Sequence, residues 1–306
     1  MLQVILTGLS VGAIYGLIAM GFAVVFYVTR VINFATGQLM MAAIMITAGL
    51  AMHGRHAYFA IPLGLVVSVV LGVVIYFVAV RPVLHFNRFS FAWLVSTLGV
   101  AIILESAAAL KWGTSSLSFP QLLNGNAVHI GSGALTWQQI LTIVLAVVIT
   151  VGFELFRTKT LFGKLGMAIS ADPDIAAAMG ANVTRYAVLA FALGGLLAGI
   201  AGILVGPISF ANPYLGDTYG IYGFVALMIG GIEKPAASMG GGLLLGILTT
   251  VASTYINPLA SDWFPFVVVI AVLLLTPSGL FVSGKSVRRA LARLGRPNRS
   301  VSRAVQ

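Results

Sequence analysis

Nine stretches of the chain are apolar over close to the roughly 20 residues that a helix needs to cross the hydrocarbon core of a bilayer. They run from Val4 to Val28, Phe34 to Met52, Tyr58 to Val80, Phe91 to Leu110, Gln138 to Phe156, Tyr186 to Gly206, Pro213 to Ile232, Met239 to Ile256 and Trp263 to Val282. The seventh is the least regular. Its apolar heart, Tyr219 to Ile232, is short and interrupted by glycine, so a re-entrant or broken segment is an alternative to a full crossing. The expectation is an all-α polytopic membrane protein, a compact bundle of about nine (eight to ten) transmembrane helices. Composition agrees, because only 8% of the 306 residues are charged and 59% are hydrophobic, whereas soluble domains are roughly 25% charged.

The loops carry an uneven share of the positive charge. Alternating crossings put Arg30, Arg81, Arg88, Arg157, Lys159, Lys164, Arg185, Lys234 and a seven-residue set in the tail (Lys285, Arg288, Arg289, Arg293, Arg296, Arg299, Arg303) on one side. Arg55 and Lys111 alone fall on the other. Fifteen against two makes the first side cytoplasmic, with the N-terminus outside and the C-terminus inside. No Lys or Arg precedes Arg30, so the first helix lacks the basic start of a cleaved secretory signal and is expected to stay. The chain divides into a transmembrane body, 1–283, and a basic tail, 284–306. The tail has no acidic or aromatic residue, and directly behind a span it reads as a segment lying on anionic membrane lipid or setting topology rather than binding nucleic acid.

Tools for chemistry are few. With no cysteine, thiolate nucleophiles, disulfides and Cys-ligated metals are excluded. His53 and His56 flank Arg55 in a short external loop, His85 sits in an internal loop and His129 in a large external one, none at metal-ligand spacing. No catalytic residue, metal or bound cofactor is expected. Gly279-Leu280-Phe281-Val282-Ser283-Gly284-Lys285-Ser286 matches the phosphate-loop pattern GxxxxGK[ST]. A phosphate cradle needs a strand before it and a helix after it in a globular domain, and a membrane helix stands there instead, so the match is read as false. Glu105, in Leu104-Glu105-Ser106, is the carboxylate placed clearly inside a span. It admits three readings: a path-lining residue, an interhelical hydrogen-bond partner, or a protonated neutral acid. Glu154, beside Arg157 near the inner end of its span, reads as salt-bridged.

Glycine falls at helix-neighbour spacing. Gly8, Gly12 and Gly16 form a stripe on the first helix, and Gly195 with Gly199, Gly202 with Gly206, and Gly242 with Gly246 repeat it. Such faces let backbones approach closely in lipid, where no hydrophobic drive exists between helices. The internal stretch 157–185 carries a second local signal. Asp172 suits an N-cap, Pro173 the first helical position, Asp174 the positive end of the helix dipole, and Gly180 a left-handed stop, while Ala178 and Met179 close the turn between them. A helix this short is marginal alone, so it either caps the membrane face or serves as a lever for a cytoplasmic partner. Asn33 to Gln38, including Thr36, is a polar, glycine-containing break between two apolar runs and reads as a tight turn or as part of a path or gate.

The run Gly21-Phe22-Ala23-Val24-Val25-Phe26 followed by Arg30-Val31-Ile32-Asn33-Phe34-Ala35-Thr36-Gly37-Gln38 resembles the early signature of the branched-chain amino acid ABC transporter permeases. So do Asp172 to Asn182, Phe191 to Gly202, and Ile229-Gly230-Gly231-Ile232, in the family's order over nearly the whole chain. The likeness is closer to the LivH-like subunit than to its LivM-like partner. It implies a membrane subunit paired with a homologous permease, two cytoplasmic ATPase subunits that bind ATP and Mg, and a periplasmic substrate-binding protein in the bacterial inner membrane. In that setting Asp172, Pro173, Asp174, Ala178, Met179 and Gly180 would couple ATPase motion to the bundle, and Asn33, Thr36, Gln38 and Glu105 would line the path or gate. Urea, amide and aromatic-acid importers use similar permeases, so substrate stays open. The rivals are a stand-alone ion-coupled transporter or channel built on Glu105, and a membrane scaffold without transport.

Overall fold

The structure, a computed structural model, describes residues 1–52, 57–86, 91–120, 125, 127–130, 133–232, 234–276 and 279–281. The loop with His53, Arg55 and His56, together with Arg88, the phosphate-loop match beyond Phe281 and the basic tail 284–306, lies outside the described residues.

The chain opens with α1 (Leu2–Thr29), α2 (Thr36–Met52), α3 (Ala57–Ile75), a π-helical turn (Tyr76–Val80), α4 (Arg81–Phe86) and α5 (Ala92–Trp112). A hairpin follows, β1 (Val128–Ile130) antiparallel to β2 (Gly133–Leu135). Then come α6 (Trp137–Lys159), α7 (Leu161–Ala171), α8 (Pro173–Ala178), α9 (Val183–Ser209), α10 (Leu215–Gly230), α11 (Pro235–Tyr255) and α12 (Ala260–Leu275). Among the described residues the regular structure is α-helical apart from the π turn and this hairpin, which the apolar pattern did not reveal. Its Ala134 N–H donates to Gln3 Oε1 at 2.6 Å, tying the loop to the start of α1. His85 falls in α4 rather than in a loop.

All nine apolar runs fall on helices, but their lengths differ. Among the described residues six helices are long and apolar enough to cross a membrane: α1, α3 with its continuation, α5, α6, α9 and α11. α2, α10 and α12 hold 17, 16 and 16 residues, which at about 1.5 Å each is shorter than a hydrocarbon core of roughly 30 Å. The last ends at Leu275, short of the expected Val282.

α1 is the axis. Every residue from Gly12 to Val25 is buried, as befits a helix that is apolar all round. Against it α11 runs antiparallel, backbone to backbone. A Cβ on Gly8 would stand 2.8 Å from Ile247 Cα, one on Gly12 2.8 Å from the Gly242 carbonyl, and one on Gly246 2.5 Å from the Gly8 carbonyl, while Gly16 faces Met239 and Gly242. The glycines of α9 serve other neighbours. Gly195 meets the Ser68 carbonyl, Gly199 the Ser68 side chain, Gly202 the Met40 carbonyl and Gly206 the Phe119 ring.

The π turn has a chemical cause in Pro82. A proline lacks the N–H that would bond four residues back and its ring crowds that carbonyl, and a one-residue widening of the helix relieves both. Ala79, within the widened turn, gives its carbonyl to Ser96 Oγ on α5 at 2.9 Å.

Two helices begin partway through the bundle. Tyr15 is the fourteenth of the 28 residues of α1, and the rings of Tyr219 and Tyr222 on α10 stand 5.8 and 5.1 Å from its ring. The second turn of α10 therefore lies beside the middle of α1, and the helix starts about 6 Å before it. Phe34, just before α2, packs on Phe224 at 5.4 Å, as Phe22 does at 6.3 Å, so α2 starts about 10 Å short of the C-terminal end of α1. The non-helical leads into these helices bury Val31, Asn33, Ala35 and Ala211. Irregular backbone at this depth is tolerated where protein encloses it or it lines a cavity.

The seam between α1 and α11 generates a contrast. Gly12→Val should lower the thermal unfolding temperature of the detergent-purified chain, with an overpacking cost of about 1–3 kcal/mol. Gly152→Ala on α6, where a Cβ meets nothing within 4 Å, should raise it, by up to about 1 kcal/mol of helix propensity.

Candidate functional site

Where α2, α5 and α10 meet at mid-depth, three polar side chains converge. Gln38, in the first turn of α2, is 1% exposed. Its Nε2 donates to Asp217 Oδ1 at 2.6 Å and to Glu105 Oε2 at 3.4 Å, while its Oε1 has no partner. Glycine makes the approach possible. A Cβ on Gly216 would stand 2.6 Å from Gln38 Cδ, and one on Gly37 2.8 Å from Gly220 Cα.

Glu105 thus stands as an interhelical hydrogen-bond partner, and it is not the lone carboxylate at depth. Asp217 is a correction to the sequence reading, which placed it inside the seventh apolar run without singling it out. It is exposed on the isolated chain and Glu105 is partly so. Among the described residues neither has a cationic partner within ion-pair distance. A charged carboxylate facing hydrocarbon costs about 3 kcal/mol on insertion scales, so this face belongs against protein or water. Tyr219, one turn along α10, shares a 2.9 Å hydrogen bond with Ser209 at the end of α9, and Tyr222 donates to the Ser261 carbonyl at 3.2 Å.

Asn33 and Thr36 serve the turn itself. Asn33 Oδ1 accepts from the Ala35 N–H at 3.2 Å, and the Asn33 carbonyl accepts from Thr36 Oγ1 at 2.6 Å. Both are buried by their own chain, and of the polar break only Gln38 reaches the carboxylates.

At the far end of α1 the loop 157–185 folds as two helices, not one. Thr160 ends α6 and caps α7, its Oγ1 accepting from the Gly163 N–H at 3.0 Å. Asp172 then caps α8, accepting from the Asp174 and Ile175 N–H groups at 3.0 Å each. Pro173 takes the first helical position and Gly180 has φ 90°. α8 presents Ile175 and Met179, 61% and 84% exposed, with Ala178 beside them, and buries Ala176. Arg30 joins this loop to the axis, as its Nη2 donates to the Ser170 carbonyl at 2.8 Å. An open cavity of about 780 Å³, lined among others by Arg30, Arg81, Asp174 and Thr184, leaves α8 room on that side. Glu154 pairs with Arg157 through a bidentate contact, and that guanidinium lies over the Tyr27 ring at 5.8 Å.

Sequence reasoning missed Asp217 and the Arg30 tie. The one available signal for Asp217 was a carboxylate set between Gly216 and Gly220 at the start of an irregular apolar run. Arg30 counted only as a topological charge, because its partner is a backbone carbonyl 140 residues away.

Residues 4–273 match the family described as branched-chain amino acid transport system / permease component. The chain is 31% identical over 294 residues to the high-affinity branched-chain amino acid transport system permease protein LivH of Escherichia coli (strain K12), covering 91% of this chain and 94% of that one. It is 32% identical to the corresponding protein BraD of Pseudomonas aeruginosa, over 91% and 95% of the two chains. A probable branched-chain amino acid transport permease protein LivH of Methanocaldococcus jannaschii is 26% identical over 90% and 91%. No solved structure matches.

Removal of the Asp172 cap should loosen α8 alone. In Asp172→Ala, a lost N-cap of about 1 kcal/mol should speed amide hydrogen exchange across 174–178 roughly fivefold, with exchange in α1 and α11 unchanged. Gln38→Leu should lower the unfolding temperature, because both carboxylates lose a donor, at about 1–3 kcal/mol.

Proposed function

The chain belongs to the branched-chain amino acid transport permease family, and on that footing we propose that it is the LivH-like membrane subunit of an ATP-driven importer for branched-chain or related amino acids. Its partners in this reading are a homologous LivM-like permease, two cytoplasmic ATPase subunits that hold ATP and Mg, and a periplasmic binding protein that delivers the substrate. The body 1–283 spans the inner membrane with nine elements, of which α2, α10 and α12 are partial, and the N-terminus lies outside.

The observation that carries the reading is α8. Its Ile175 and Met179 are large apolar side chains held out from the chain by a helix of six residues, a surface that calls for a partner. Motion of that partner passes from α8 to α7, through Arg30 to the end of α1, and along the glycine seam to α11. α10 packs on the same axis at Tyr15 and carries Asp217, so displacement of α1 reaches the mid-depth cluster. Coupling falls to Asp172, Pro173, Asp174, Ala178, Met179 and Gly180, and the path to Gln38 and Glu105, with Asn33 and Thr36 holding the turn before it. This chain carries out no chemistry of its own in the cycle.

Purification of the tagged chain from its native membrane in mild detergent should bring down a second permease and an ATPase in stoichiometric amounts. Recovery of the chain alone, active in liposomes under an ion gradient, would overturn the reading. Met179→Arg should abolish uptake while leaving the chain in the membrane, and normal uptake would remove α8 from the coupling path. The chain has no cysteine, so single cysteines at Gln3 and Ser302 report orientation directly. An impermeant thiol reagent added to intact spheroplasts should label the first and not the second.

A further inference from the structure

α6 and α9 both pack on α1, yet at the end of the bundle where α1 finishes they leave between them a groove of about 190 Å³, lined at that end by α7. Its walls are apolar. Phe153 and Phe156 come from α6 and Leu189 and Leu193 from α9, with Phe162 of α7 against the Tyr186 ring at 6.0 Å. Gly166 of α7 lines the same space: it is buried, yet a Cβ there would meet nothing within 4 Å. Protein interiors are packed to the density of organic crystals, and an apolar void does not hold water. An apolar chain is what fits it.

The groove also has a charged end. Arg157 lines it, and Lys159, Lys164 and Arg185, all exposed, each lie within two residues of a lining side chain. Over 153–166 and 184–193 the one carboxylate is Glu154, and Arg157 already holds it. Seven residues, about 10 Å of helix, separate Tyr186 beside Arg185 from Leu193 at the deep end. Around Lys164, α7 turns Leu161, Phe162 and Leu165 outward, a mixture suited to the boundary between acyl chains and headgroups. Cations gathered at one end of an apolar groove in a membrane protein match an amphiphile with a negative head.

We infer that this groove seats the upper part of one acyl chain of an anionic phospholipid, whose phosphate is held by Lys159, Lys164 and Arg185. Arg157 stays with Glu154 and closes the wall. Such a site needs no assumption about transport. Because α7 also carries Ser170, whose carbonyl accepts from Arg30, the seated lipid props the helix that Arg30 ties to α1.

The tagged chain, with whatever subunits accompany it, is placed in nanodiscs of phosphatidylcholine carrying a trace of phosphatidylglycerol with a diazirine in the upper part of one acyl chain. Photolysis and peptide mass spectrometry should find adducts on Phe153, Phe156, Leu189 and Leu193. Adducts on Val95 and Ile102, exposed on α5, measure lipid in passing contact, so the readout is the ratio of groove to α5. A basic residue beside an anionic headgroup is worth about fivefold, and the ratio should fall by about that much in Lys164→Gln and further in Lys164→Gln/Arg185→Gln. Gly166→Leu, which fills the groove, should remove the groove adducts and spare those on α5; lipid held by the basic tail would not respond to it. The same diazirine on phosphatidylcholine should give the low ratio of the doubly neutralised chain. An equal ratio for the two lipids overturns the site, as does a ratio unmoved by Gly166→Leu or by the double charge variant. A groove without adducts, the result of a protein subunit covering it, overturns it as well.

Discussion

Backbone touches backbone where α1 meets α11, and the rest of the molecule is hung from that contact. Lipid tails are as apolar as leucine, so no hydrophobic drive pulls the two helices together, and close packing must supply the association instead. Gly8, Gly12 and Gly16 on one side and Gly242 and Gly246 on the other remove the side chains that would hold the axes apart. With that face settled, α1 has its remaining faces free for α9, α10, α6 and α7. It meets α9 at another glycine pair, Gly21 and Gly194, and α10 at Ile18 and Gly223. One helix therefore touches both the polar cluster's own support, through Tyr15, and the α7–α8 loop, through Arg30.

Features encoded within a few consecutive residues were legible in the sequence. The caps of α8 are the clearest case, since Asp172, Pro173 and Gly180 act on groups two to five residues away. The apolar runs and the glycine stripes were likewise readable as pattern. Their partners were not, because nothing in Gly12 says that it will face Gly242 rather than a helix nearer in sequence. The shortened helices show the same limit. Gly216 and Asp217 sit in a run whose hydropathy passes for a crossing, and only the contact of Tyr219 with Tyr15 shows how deep α10 begins. The β1–β2 hairpin and α7 were missed for a different reason: short polar-edged segments carry too little periodicity to separate helix, strand and loop.

Partial helices change what a membrane protein can hold at its centre. A continuous span offers no free backbone groups and little reason to keep a carboxylate at depth. α2 and α10 both begin inside the bundle, and Gln38 and Asp217 occupy their first turns. A negative group near a helix start is favoured by the dipole, and a buried amide between two carboxylates gives both a donor. The cluster thereby gives two acids a shared donor at a depth where an isolated one would have none, and Glu105 enters it from a helix that is otherwise ordinary.

α8 has fewer than two turns, and helices much shorter than about 12 residues do not hold their shape in isolation. Its stiffness is borrowed from the Asp172 cap, from Ala176 packed beneath it, and from whatever rests on Ile175 and Met179. Pressed from outside, it is a solid strut; with nothing against it, only a fringe of hydrogen bonds keeps it in line with Arg30 and α1. In the coupling role proposed for it, the linkage would act as a clutch, gripping under load and slipping without it. In that role, stray motion near the loop would be spent in the fraying of one short helix and would not travel up the axis.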